Sequence, residues 1–127
     1  MTEVKARIQS FTDLITWQKG HELVLIIYKT TEEFPPKEIF GITNQMRRAA
    51  VSVTSNIAEG FSRRSNKEKI QFYHIALGSQ TELQNQLVIA RDIKYLNIGN
   101  FDKISKQTIT VSKLINGLIK SSSILNT

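Results

Sequence analysis

Gln45-Met46-Arg47-Arg48-Ala49-Ala50-Val51-Ser52-Val53-Thr54-Ser55-Asn56-Ile57-Ala58-Glu59-Gly60-Phe61-Ser62-Arg63-Arg64 is the stretch whose reading decides the fold. Its apolar positions, begun by Ile42, continue through Met46, Ala49 or Ala50, Val53, Ile57 and Phe61. Steps of three and four residues put them on one face of a helix. The alanines and serines keep that helix slim enough to pack closely against neighbours. Asn56, Glu59 and the arginine pair hold polar groups at fixed places on it. Thr43 is the expected cap and Gly60 the expected stop, which predicts a helix over about 43–60.

The same periodicity extends in both directions. Upstream, Leu14, Trp17, His21, Val24, Tyr28 and Thr31 form a stripe on a predicted helix over about 13–33, capped by Thr12 or Asp13. Phe34, Pro35 and Pro36 end it, because proline cannot continue a helix and restricts the residue before it. Downstream, Ser65 and Glu68 make a capping box for a third helix over about 66–95. Its stripe runs through Phe72, Ile75 or Ala76, Ser79, Leu83, Gln86 or Leu87, Ala90 and Ile93. Asn97-Ile98-Gly99-Asn100 reads as a turn. A fourth helix over about 102–122 then carries Ile104, Thr108, Val111, Ile115 and Leu118. No useful length of the chain alternates as a strand would. Four amphipathic helices with short connections predict an all-α, antiparallel up-down-up-down four-helix bundle, one domain over 1–127. The first ten residues and Ser123–Thr127 are expected to fray.

Composition narrows the function. The chain has 127 residues, 40% hydrophobic and 22% charged, as in ordinary globular domains. It contains no cysteine, which excludes disulfides, thiolate metal sites and cysteine nucleophiles. Met1–Gln9 includes Glu3, Lys5 and Arg7 and does not read as a signal peptide. The longest apolar run, Leu23–Tyr28, is too short to span a bilayer. A cytoplasmic protein without membrane contact is expected. The formal charge of +6 and a pI of about 9.7 favour an anionic partner, most simply nucleic acid.

Enzymatic chemistry is not indicated, and no catalytic residue, metal site or cofactor is predicted. Of the two histidines, His21 falls on the apolar stripe, where a hydrogen-bonded core histidine is expected, and His74 belongs to no metal-binding array. Ser52, Ser55 and Ser79 have no evident base, and there is no glycine-rich phosphate loop.

Binding and assembly features are more plentiful. Leu23, Val24, Leu25, Ile26 and Ile27 are consecutive, and at about 100° per residue five positions encircle a helix. One core buries one side of such a run, so a second subunit is expected to cover the other, with Leu23, Ile26 and Ile27 as the interface. Gly78 and Gly117, in mid-helix, fit either unusually close helices or simple tolerance of a glycine there. Gln45, Arg48, Ser52, Asn56 and Glu59 share a polar stripe, and Glu82 and Gln86 follow Ser79 in the same way. Arg47 or Arg48 is expected to meet Glu59 or Glu82, within a subunit or across an interface. Such a buried pair sets register, since breaking it costs more than forming it contributes. Glu59 also stands four residues before Arg63, at ion-pair spacing.

Two groups of cations are candidates for phosphate contact. Lys103, Lys106, Lys113 and Lys120 share one helical stripe with no acidic residue after Asp102. Arg63, Arg64, Lys67 and Lys69 crowd the junction of helices two and three against Glu68 alone. Cations without carboxylate neighbours suit a polyanion. No aromatic residues are interleaved with them, so backbone or shape recognition of RNA is expected rather than base stacking. The alternative is an oligomeric scaffold for a protein partner, whose charge serves solubility.

Several segments together follow one pattern: Phe11-Thr-Asp-Leu14-Ile-Thr-Trp17-Gln18-Lys19, Glu38-Ile-Phe40-Gly41-Ile-Thr43, Gln45-Met-Arg47-Arg48-Ala49-Ala50, Asn56-Ile-Ala-Glu59-Gly60 and Ala76-Leu-Gly78-Ser79 followed by Glu82. The chain resembles the bacterial four-helix bundle proteins encoded in 23S rRNA intervening sequences, also labelled the S23 ribosomal protein family. The resemblance spans nearly the whole chain, and the fourth helix is its most generic part. It implies a left-handed four-helix bundle assembled as a ring-like homopentamer. The family is also similar to the accessory protein of diversity-generating retroelements, a basic pentamer that binds nucleic acid and a reverse transcriptase. Many members have proline where this chain has Thr54.

Overall fold

A computed structural model describes residues 7–125, with side chains described through residue 123. Among these residues, four helices follow one another: α1 (Ile15–Thr31), α2 (Ile42–Ser62), α3 (Asn66–Asp92) and α4 (Ile98–Leu125). Each packs on the next, most extensively α2 on α3, and α1 closes on α4 along the loosest seam. Short connections make successive helices antiparallel, and the result is an up-down four-helix bundle. One cluster of buried apolar side chains joins all four helices, with Leu23, Ile27, Met46, Ile57, Leu83, Leu87, Ile104 and Ile115 almost wholly enclosed. Fraying was expected at both termini, and most of that expectation concerns residues outside the described range. Within it, the N–H groups of Gln9 and Ser10 both donate to the Asp13 carboxylate.

The helix limits differ from the expected ones for local reasons. Ser10 and Asp13 form a capping box around a 3-10 turn, Phe11–Asp13, and the extended Leu14 separates that turn from α1. Helix α2 starts one residue before Thr43, runs unbroken through Thr54 and continues past Gly60 to Ser62. Ser65 does cap α3, its Oγ accepting the Glu68 N–H at 3.0 Å. Lys94 adopts the left-handed region (φ 72°) just after α3 ends. The expected turn at 97–100 is already the start of α4: Asn97 Oδ1 accepts the Asn100 N–H at 2.7 Å.

Two expectations about packing are corrected. The buried face of α1 is Thr16, Gly20, Leu23, Val24, Ile27 and Thr31, rotated from the predicted stripe, so His21 is exposed and not a core histidine. Gly20 sets this rotation, because a methyl group there would lie 3.1 Å from Thr54 Cγ2; α1 approaches α2 through its smallest residue. As a consequence Leu23 and Ile27, expected at an oligomer interface, are 1% and 0% exposed within the protomer. Ile26 is half-buried against the core, and the outward member of the run is Leu25.

The mid-helix glycines follow the tolerance reading. A Cβ at Gly78 or Gly117 would meet nothing within 4 Å, so neither marks a close approach within the protomer. Gly60 does, since a Cβ there would fall 2.6 Å from Tyr73 Cε1 and 3.2 Å from the Lys69 carbonyl oxygen.

Candidate nucleic-acid interface

Helix α4 presents Lys103, Lys106, Lys113 and Lys120 to solvent, all four exposed and none ion-paired among the described residues. Helical geometry sets Lys106, Lys113 and Lys120 about 10 Å apart along the axis, on one side with Thr110 and the open Gly117. Core residues Ile104, Thr108, Val111 and Ile115 take the opposite side and hold the lysine face outward. Lys103 differs from the other three in sharing a cleft with Lys29 of α1 and Glu33 just beyond that helix.

The α2–α3 junction divides into two pairs. Arg63 Nη2 donates to Glu59 Oε2 at 2.9 Å, and its guanidinium lies 4.6 Å over the Phe72 ring. Lys69 Nζ donates to the carbonyls of Phe61 (2.7 Å) and Gly60 (3.3 Å), closing the C-terminal end of α2. Burial holds the Lys69 ammonium below its usual pKa. These two cations serve the corner itself, and the Arg63–Glu59 pair forms at the spacing that predicts it. Arg64 and Lys67 are exposed and unpaired among the described residues.

The expected pairing of Arg47 or Arg48 with Glu59 or Glu82 does not form within the chain. Arg47 turns toward α1, where its Nε donates to Thr31 Oγ1 at 2.9 Å and Nη2 to the Tyr28 carbonyl at 3.4 Å. Its guanidinium stacks 4.7 Å from the Tyr28 ring centre. Position 47 lies on the side of α2 that faces α1, whereas Ser52 faces α3. There Ser52 and Ser79 hydroxyls are 2.8 Å apart, and Asn56 Nδ2 donates to the Ser52 carbonyl at 2.8 Å. Arg48 and Glu82 are exposed and unpaired among the described residues.

The Thr31–Tyr28 anchor for Arg47 lies on a different helix and has no signal in the sequence. Sequence reasoning also missed the buried polar seam of α3 and α4, where Gln80 Nε2 donates to the Thr108 carbonyl at 2.8 Å. His21 stacks on Trp17 (4.7 Å, 12°), which meets Phe11 edge-on. Among the described residues no three His, Cys, Asp or Glu side chains gather closely enough to hold a metal ion. Among the described residues no helix is long and apolar enough to cross a membrane.

Residues 12–117 match the profile of the 23S rRNA-intervening sequence protein family. The chain belongs to this family. No catalytic family is indicated for this small helical member. Its fold is similar to a solved protein of unknown function from the S23 ribosomal protein family of Bacteroides thetaiotaomicron VPI-5482. The TM-score is 0.75 at 23% identity, covering 84% of this chain and 99% of the other. At that identity the likeness concerns the bundle alone. Curated proteins provide no match.

Proposed function

We propose that this family member is a non-enzymatic, self-associating cytoplasmic protein that binds RNA through its phosphate backbone. The observation that carries the reading is the lysine face of α4, four exposed cations with no ion-paired carboxylate among the described residues. Arg64 and Lys67 extend it at the α2–α3 corner, the net charge of +6 acts in the same direction, and the family's name associates it with 23S rRNA. A homopentamer would cover outward apolar side chains such as Leu25 and Ile75, which are 57% and 52% exposed.

Fluorescence anisotropy with a structured RNA at two salt concentrations tests this. Four lysine contacts on a duplex correspond to a salt slope of about −3.6, so affinity should fall roughly 150-fold from 50 to 200 mM salt. Absence of binding at low salt, or an affinity indifferent to salt, contradicts the proposal. A second reading, a scaffold for a protein partner, is favoured by Phe40, which is 92% exposed in the α1–α2 connection. Charge reversal along α4 separates them, since a protein partner docking at Phe40 would be retained.

A further inference from the structure

Outside the lysine face, the α1–α2 groove gathers cationic donors with no carboxylate in its lining. A cavity of about 410 Å³ is bordered by Tyr28, Asn44, Arg47, Arg48, Val51 and Ser52. Arg47 is already fixed in place: two of its five N–H donors are taken by Thr31 Oγ1 and the Tyr28 carbonyl, and the ring of Tyr28 supports its plane. The remaining three donors have no protein partner among the described residues. Thr31 is itself held, its hydroxyl donating to the Ile27 carbonyl at 2.7 Å.

Arg48 stands beside it, exposed and unpaired among the described residues, with the side-chain amide of Asn44 one turn earlier. Glu32 borders an adjoining cleft with Arg47 but forms no ion pair with it. Two neighbouring guanidinium groups repel one another, and a dianion between them removes that repulsion while accepting charge-assisted hydrogen bonds. A carboxylate would neutralise one of the two; a terminal phosphate, with about −1.5 to −2 charge at pH 7, matches both.

We infer that this groove is a phosphate-monoester site, with Arg47 as its preset donor and Arg48 as the side chain that closes on the ligand. The phosphate can come from an RNA end or from a free small molecule. In the first case the inference rests on the RNA-binding reading and adds end recognition to it.

The test uses two 3′-labelled oligoribonucleotides of one sequence, bearing a 5′-monophosphate or a 5′-hydroxyl, together with inorganic phosphate titrated while the Arg47 Nε–H resonance is followed by NMR. The wild type should prefer the phosphorylated RNA by about tenfold or more. Arg48→Gln, a change at an exposed position that should leave the fold intact by circular dichroism, should bring the preference close to one. Lys113→Glu should weaken both RNAs alike and preserve the preference. Equal binding of the two RNAs by the wild type overturns RNA-end recognition while leaving backbone binding by α4 standing. If neither RNA binds but inorganic phosphate shifts the Arg47 signal in the wild type and not in Arg48→Gln, the site is upheld for a small phosphate and the RNA reading fails. No RNA preference and no phosphate-dependent shift overturn the site itself.

Discussion

Replacing Gly60 by alanine should destabilise the bundle, whereas the same change at Gly117 should stabilise it. At Gly60 the added methyl would stand 2.6 and 2.9 Å from two ring carbons of Tyr73 and 3.2 Å from the Lys69 carbonyl oxygen. Tyr73 is 3% exposed and has little room to turn away, and the carbonyl belongs to the backbone of α3. Overpacking of this kind costs about 1–3 kcal/mol. Alanine recovers at most about 1 kcal/mol of helix propensity, and less here because Gly60 lies in the last turn of α2. The net loss is about 1–2 kcal/mol. At Gly117, in the middle of α4, a methyl meets nothing within 4 Å, and the propensity gain of about 1 kcal/mol stands alone. Urea titration and thermal melting followed by far-UV circular dichroism, at one fixed protein concentration, measure both. The thermal midpoint should move down by roughly 4–8 °C for Gly60→Ala and up by about 4 °C for Gly117→Ala. Shifts of the same sign, or a neutral Gly60→Ala, would refute the packing argument.

Alkaline pH should weaken the fold through Tyr73. Burial raises its phenol above the ordinary value of 10.0, so the folded chain keeps a proton that the unfolded chain releases. The stability this contributes is complete below pH 10.0 and is lost as pH climbs toward the folded value. Denaturant midpoints on either side of pH 10 should show that loss, and Tyr73→Phe should reduce it; an equal loss in the variant contradicts the assignment. Leu25→Glu should lower the particle mass in light scattering toward the 14.5 kDa of one chain, and an unchanged mass speaks against Leu25 at the interface.

The bundle was legible because the apolar steps of α2, α3 and α4 are regular and the prolines, Ser65 and the 97–100 segment punctuate them. Met46, Val53, Ile57, Leu83, Val111 and Ile115 are buried as their spacing requires. Helix α1 was read with the wrong rotation because Trp17 and Tyr28 are large and amphipathic, and periodicity weighs them as core. The close approach of α1 to α2 instead passes through Gly20, which carries no hydrophobic signal at all. Charge was legible as a total and along α4, where no acidic residue follows Asp102. It was not legible at the α2–α3 corner: Lys69 turns to two backbone carbonyls at the end of α2, and no side-chain pattern announces that. The direction of Arg47 was equally hidden, being decided by which neighbour each side of α2 faces. Of the polar stripe, Ser52 meets α3 through Ser79, while Asn56 bonds back to Ser52 within α2.

The most direct measurement is the salt dependence of RNA affinity for the wild type beside a Lys106→Glu, Lys113→Glu, Lys120→Glu variant. All three positions are exposed, so the variant should keep its helical spectrum. Removing three phosphate contacts should flatten the slope by about 2.7 and abolish most binding at low salt. Equal affinities and equal slopes for the two proteins would show that α4 is not the surface that meets RNA.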